Sequence, residues 1–408
     1  MKAIVTKIYP YTISLLFVFP LLKVSLMNLV LIVFSLFTIL QFFIPKEKKA
    51  VVFKKEMVLL SIPFFIVLFT SLFYWEEKDV FKPLDNALYY LIFPLTFIFA
   101  PQEFFTKEKV QSYLTILKIS CLIVAIGFIL SFFYYYSIND FFSIKYNVSA
   151  FRDFVYHEIP FFRIHPTYFS TILLFCIASS LENIRLENKK VEIGFIVVFS
   201  IITILLLAKL NIVLLLLLFT YYFLFKFNTI KITTRILSTS VLLALLFSLA
   251  SQVPGIKQRF KEVFSSLQSE PKGLAYDSTN IRVALYKCDW EIIKENWITG
   301  IGFHNGKEAI KNCLETNYDS SFFENHLYLS HNYFFYILMS SGIIGLLLFI
   351  FYLFTIFKQI IMLNDFIVYV LFVSIMIVSL TEDFFYRNIG LFFFSLIYLT
   401  FFKKAKIV

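Results

Sequence analysis

The sequence is short of charge. Only 16% of its 408 residues are Asp, Glu, Lys or Arg, while 59% are hydrophobic. A chain of this length cannot hide that much apolar surface in one soluble core, so water-soluble globular classes are excluded. It also lacks a concentrated basic face, which excludes nucleic-acid binding despite a formal net charge of +10. There is no internal repeat and no low-complexity linker. No metal-ligand set is legible among the histidines, since His326 and His331 stand apart with no partner pair nearby. The glycines of Trp297 to Gly306 follow no strand pattern, which excludes a dinucleotide-binding fold. The first apolar run is closely followed by a second and lacks a small-residue cleavage site, so it does not read as a signal peptide.

What the chain does have is apolar runs of membrane length. Counting stretches of roughly 17 to 25 residues between charged breaks predicts an all-α polytopic membrane protein with about twelve transmembrane helices. They fall near Ile8 to Leu22, Val24 to Ile44, Met57 to Tyr74, Leu84 to Ala100, Val110 to Tyr136, Pro166 to Leu181, Val191 to Ala208, Leu210 to Phe225, Ile236 to Val253, His331 to Phe357, Phe366 to Thr381 and Ile389 to Phe402. Positive charge in short loops is retained on the cytoplasmic side. Lys46, Lys48, Lys49, Lys54 and Lys55 mark one such loop, Arg185, Lys189 and Lys190 a second, and Lys226, Lys231 and Arg235 a third. With Lys403, Lys404 and Lys406 at the end, both termini are expected on the cytoplasmic side. The expected organisation is 1–253, helices 1 to 9 with an outer loop at 137–165; 254–330, a large helical periplasmic loop; and 331–408, helices 10 to 12 and a tail.

All five histidines then lie outside the cytoplasm, which points to a site on the outer face. Ser330-His331-Asn332-Tyr333 puts an imidazole where the long polar segment enters an apolar helix. There a neutral ring can take a proton from a hydroxyl near neutral pH. Phe334, Phe335, Leu338, Gly342 and Gly345 form a stripe below it, and the glycines permit close helix approach. Within the loop, Asn280 to Asn296 reads as an amphipathic helix with Asp277 or Ser278 as its N-cap. Arg282 on that helix offers a planar, permanently charged fork for a phosphate. Cys288 and Cys313 lie in the same loop, either bonded in an oxidising compartment or unpaired. Further polar clusters stand at outer helix ends: Arg163, His165 and Tyr168; Lys209 and Asn211; and Thr381, Glu382, Asp383 and Arg387. Together they read as a receptor for an anionic, lipid-held substrate.

The order of these elements resembles the O-antigen ligase and O-antigen polymerase superfamily. The pattern is Arg-x-His-Pro-x-Tyr, a Lys in a short outer turn, an Arg helix before Gly-x-Gly, Ser-His-Asn-Tyr leading into Gly-x-x-Gly, and Thr-Glu-Asp near the end. The resemblance runs from Arg163 to Phe402. It implies a membrane glycosyltransferase bundle of the bacterial inner membrane, with its active site facing the periplasm, that is metal-independent, inverting and free of cofactors. The implied donor is an undecaprenyl-diphosphate-linked glycan, and the acceptor is lipid A core, a glycan or a protein. Arg282 would hold the donor diphosphate, and His331 would orient or deprotonate the acceptor hydroxyl. Arg163 and Lys209 would add positive charge at the leaving group, with Ala208-Lys209 standing where the family more often has Ser-Arg. His165, Tyr168, Asn332 and Glu382 would support them, Glu382 by fixing an arginine or the acceptor. Ligase is preferred slightly over polymerase. A flippase or transporter is the alternative from another class, disfavoured because its ionisable groups would sit at the membrane midplane.

Overall fold

The computed structural model describes residues 2–43, 55–145, 148–160, 164–184, 189–226, 231–268, 271, 277–318, 321–324 and 326–405. The chain is overwhelmingly helical, and five of its helices are long and apolar enough to cross a membrane: Val24–Phe43, Lys107–Tyr135, Lys209–Lys226, Ile232–Gln252 and Tyr333–Leu363. Shorter apolar helices cover Ile62–Phe73, Leu84–Phe99 and Phe366–Val378. Ile232–Gln252 buries only Thr239 and Leu246, and its unbroken apolar run from Val241 to Phe247 leaves Leu245 57% and Phe247 73% exposed. A helix with that surface is stable only in an apolar solvent, so the protein is a multi-pass membrane protein. One small departure from an all-helical chain is an antiparallel pairing of Ile144–Lys145 with Val148–Ser149.

Helix ends follow local chemistry. The run expected from Met57 to Tyr74 breaks at Ser61, because Pro63 occupies the second position of the helix Ile62–Phe73, where its missing N–H costs nothing. Pro166 opens the helix Pro166–Asn183 in the same way, behind His165. The helix beginning at Tyr333 runs to Leu363, further than its apolar run suggests, and Asn364 closes it in the left-handed conformation at φ +46°.

By contacts the chain forms two compact units. The first comprises Met1–Leu16, Val24–Ser112 and Ser266–Val408. It is cross-linked inside the apolar layer by hydroxyl pairs such as Ser35 with Thr96 at 2.9 Å and Tyr9 with Thr38 at 2.9 Å. Its main irregularity is at Gly342, where φ +64° and ψ −169° interrupt the helix Tyr333–Leu363. The segment after helix Ser278–Asn296 docks into that break. Ile301 N–H donates to the Met339 carbonyl at 2.9 Å, Gly302 N–H to Ser340 at 2.9 Å, and Ile343 N–H to Trp297 at 2.8 Å. These bonds satisfy backbone groups that the broken helix would otherwise leave open. Gly342 is therefore a docking point for backbone, and Gly300 serves the same contact, while a β-carbon at Gly302 would stand 2.5 Å from the His304 ring.

The second unit comprises Phe17–Lys23 and Tyr113–Ser265. Pro166–Asn183 is buried along almost its whole length within it. Lys118 donates to both Glu192 carboxylate oxygens at 2.7 Å, and Asn183 adds a bond at 3.2 Å. A buried charge pair in an apolar layer survives because each partner is satisfied by the other. Cys121 and Cys176 are reduced and buried, with sulfurs 4.0 Å apart.

Candidate functional site

Arg282 lies on the helix Ser278–Asn296, which begins where Asp277 accepts the Asn280 N–H at 2.8 Å. Ile281, Ala284, Leu285 and Cys288 are buried and fix which face turns inward. Cys288 is disulfide-bonded to Cys313, with 5.7 Å between their Cα atoms, which ties this helix to Gly306–Asn317. Its far end is held by the segment docked at Gly342. The helix carrying Arg282 and the helix that follows His331 thus share one backbone frame.

Within that frame the guanidinium of Arg282 spreads over three acceptors. Nε donates to the Thr381 carbonyl at 3.0 Å, Nη1 to the Ser278 carbonyl at 3.4 Å, and Nη2 to Glu382 Oε1 at 2.6 Å. The other Glu382 oxygen faces His331 Nδ1 at 3.4 Å. Arg282 and His331 side chains are 24% and 22% exposed, while that of Glu382 is 5% exposed. A carboxylate at the back of the site thus addresses two partly open groups.

His331 adopts the left-handed conformation, φ +53°, which a histidine holds only where its surroundings enforce it. The enforcing bonds are visible. Asp383 Oδ2 accepts the His331 N–H at 3.2 Å, and Tyr286 donates to the His331 carbonyl at 3.2 Å and to Leu380 at 2.9 Å. Ser330 donates to Asp289 Oδ2 at 2.6 Å, and Tyr333 N–H reaches the Ser379 carbonyl at 2.9 Å. Asn332 caps the following helix, its side-chain oxygen accepting from Phe334 and Phe335 N–H groups. Burial pushes the Asp289 carboxyl well above the usual range, against the bond from Ser330. Burial also raises Asp383, with the nearby His331 opposing it, and pushes the Tyr286 hydroxyl up to about 12.

Of the residues singled out in the sequence, Arg282, His331, Glu382 and Asn332 meet here. Arg163 lies outside the described residues. His165, Tyr168 and Lys209 belong to the second unit. There His165 caps its helix by accepting the Thr167 N–H at 3.2 Å, with the Tyr168 ring 5.6 Å away. Lys209 pairs with Glu262 Oε1 at 3.2 Å, and Arg259 holds Glu262 Oε2 at 2.8 Å. Asn211 beside Lys209 donates to the Thr167 carbonyl at 2.7 Å.

Sequence reasoning placed Asp383 in the outer cluster without its bond to His331, and did not assign Asp289 to the site or Arg259 and Glu262 to the surroundings of Lys209. Asp289 had a signal, since it falls four residues after Leu285 on an otherwise apolar stripe. Arg259 and Glu262 stand three apart on the helix Ile256–Gln268 and so share a face. Of the other histidines, His157 bonds Asp153 at 2.9 Å, His304 bonds Glu77 at 2.6 Å, and His326 bonds the Phe322 carbonyl at 2.7 Å.

The arrangement offers a positive fork for an oxyanion, an imidazole beside it and a carboxylate joining them. No curated protein matches the chain. Residues 194–350 match the family described as O-Antigen ligase, a span that takes in Lys209, Arg282 and His331 and ends before Glu382. Over this stretch, somewhat more than a third of its length, the chain is similar to the O-antigen ligase family.

Proposed function

We propose that this protein is an inverting, metal-independent membrane glycosyltransferase that moves an undecaprenyl-diphosphate-linked glycan onto an acceptor hydroxyl, lipid A core in the first instance, at the periplasmic face. The observation that carries the reading is the meeting of Arg282, Glu382 and His331. His331 accepts the proton of the acceptor hydroxyl, and the oxygen attacks the anomeric carbon as the bond to the diphosphate breaks. The lipid diphosphate departs with the bonding pair, and one displacement inverts the centre. The charge that grows on the leaving group is met by the guanidinium, the role a metal ion plays elsewhere.

An apolar groove of about 430 Å³, lined by Phe334, Leu353, Phe354, Phe372 and Leu380 among others, supports a lipid-held donor. It reaches Leu380, the residue before the Thr381 carbonyl that binds Arg282. The expected distribution of positive charge, with both termini on the cytoplasmic side, supports an outer location for these residues. The test is the glycan profile of cells carrying His331→Ala, read in surface lipopolysaccharide and in the undecaprenyl-linked pool. Long glycans stranded on the carrier with bare core at the surface identify a ligase, and single repeats still delivered to the core identify a polymerase. An unchanged profile with the variant present in the membrane overturns the catalytic role of His331.

A further inference from the structure

Glu382 stands between the two groups the proposed reaction needs, and it does not serve them equally. Its contact with Arg282 Nη2 is 2.6 Å, a full charge-assisted bond. Its contact with His331 Nδ1 is 3.4 Å, and that nitrogen is buried without a hydrogen bond. A buried ring nitrogen in that state costs free energy that a shift of under an ångström by the carboxylate would recover. Arg282 does not depend on Glu382 for its position, because Nε and Nη1 are held by the Thr381 and Ser278 carbonyls. The backbone of His331 is fixed as well, by Asp383 and Tyr286. Of the three groups, the carboxylate is the one with a second position to move to.

We propose that Glu382 is a positioning residue that changes partner when the donor binds: a diphosphate takes over the Nη2 corner of Arg282, and the released carboxylate accepts the His331 Nδ1–H. The inference rests on Arg282 being the diphosphate site. Only hydrogen bonds are exchanged, with no covalent step. A carboxylate on Nδ1–H fixes the tautomer, leaves Nε2 free to take the acceptor's proton and stabilises the imidazolium that results. The base is completed by the arrival of the leaving group, so donor binding precedes productive acceptor binding. The other groups that contact His331 keep their places in the exchange: Tyr286 on the Arg282 helix, Asp383 on the turn, and Tyr328 on its own loop, with Asp289 bonded to the neighbouring Ser330 and Arg387 near Asp383.

The test reads the tautomer directly. The full-length protein is labelled with ¹⁵N-histidine and held in micelles at a pH where the ring is neutral, and the His331 signals are identified by their loss in His331→Gln. The unliganded wild type is expected to lack a dominant Nδ1–H form. Arg282→Gln, which removes the Arg282 bond to Glu382 without any ligand, is expected to convert the ring to it. Farnesyl diphosphate is expected to do the same to the wild type and to do nothing to the tautomer in Glu382→Ala. A ring already in the Nδ1–H form in the unliganded wild type, or an Arg282→Gln spectrum matching it, overturns the switch while leaving the transferase reading intact. Farnesyl diphosphate that binds wild type and Arg282→Gln equally removes the diphosphate site itself, and the switch falls with it.

Discussion

The carbonyl oxygen of Ile298 occupies the space in which a side chain at Gly342 would begin: a β-carbon there would stand 2.0 Å from it. The glycine is needed twice over, for this approach and for a backbone at φ +64° and ψ −169° that other residues do not adopt. Gly342→Ala is expected to cost at least about 3 kcal/mol, strain and overpacking together. Thermal unfolding of the detergent-solubilised protein checks this, with Gly194→Ala as the control. A β-carbon at Gly194, inside the helix Lys189–Leu205, meets nothing within 4 Å, and that variant is expected to melt at or slightly above the wild type.

Features that depend on local pattern were legible in the sequence. The Arg282 helix was placed within two residues of its start because its N-cap and apolar stripe are both short-range signals. His331 stood out because an imidazole at the head of an apolar helix is visible in four letters. What was not legible depends on segments distant along the chain. Gly342 read as a helix-packing glycine, and nothing near it announces that residues 297–302 fill its break. Asp383 bonds the His331 backbone across 52 positions, and Arg282 reaches Glu382 across 100. Such pairings follow from tertiary packing, and two acidic residues in a turn do not reveal which neighbour each will hold.

Asp289 is fully buried and its carboxyl is raised above the usual range by that burial. The folded state therefore holds this proton more tightly than the unfolded chain. The stabilising contribution is complete below the ordinary aspartate range and is lost as pH rises through the raised value. Asp289→Asn keeps an acceptor for Ser330 and never ionises. Its melting temperature relative to wild type is expected to increase steadily as pH rises above the ordinary aspartate range. A difference that stays flat with pH contradicts an ionising Asp289.

The Cys288–Cys313 bond closes a stretch of 25 residues between the Arg282 helix and Gly306–Asn317. Its loss is expected to cost about 3 kcal/mol. A reductant should lower the melting temperature of the wild type and leave that of the Cys288→Ser/Cys313→Ser double variant unmoved. Equal sensitivity of the two proteins would mean that the bond is absent from the folded chain.

Lys209 and Arg259 share one carboxylate, Glu262, and all three side chains are largely buried. Removing either cation leaves the carboxylate paired with the other, whereas removing the carboxylate leaves two cations at close quarters in a poorly solvated place. Glu262→Ala is therefore expected to destabilise by about 3 to 5 kcal/mol, and Lys209→Met by clearly less. The same asymmetry supplies a functional reading. Two cations held close together with Glu262 removed attract an anion, so inorganic pyrophosphate is expected to raise the melting temperature of Glu262→Ala in a concentration-dependent way. The wild type, whose carboxylate already fills that position, should respond less. If pyrophosphate leaves Glu262→Ala unmoved while the variant is destabilised as expected, Lys209 and Arg259 act only in holding helices together, and a part for Lys209 in binding the diphosphate falls.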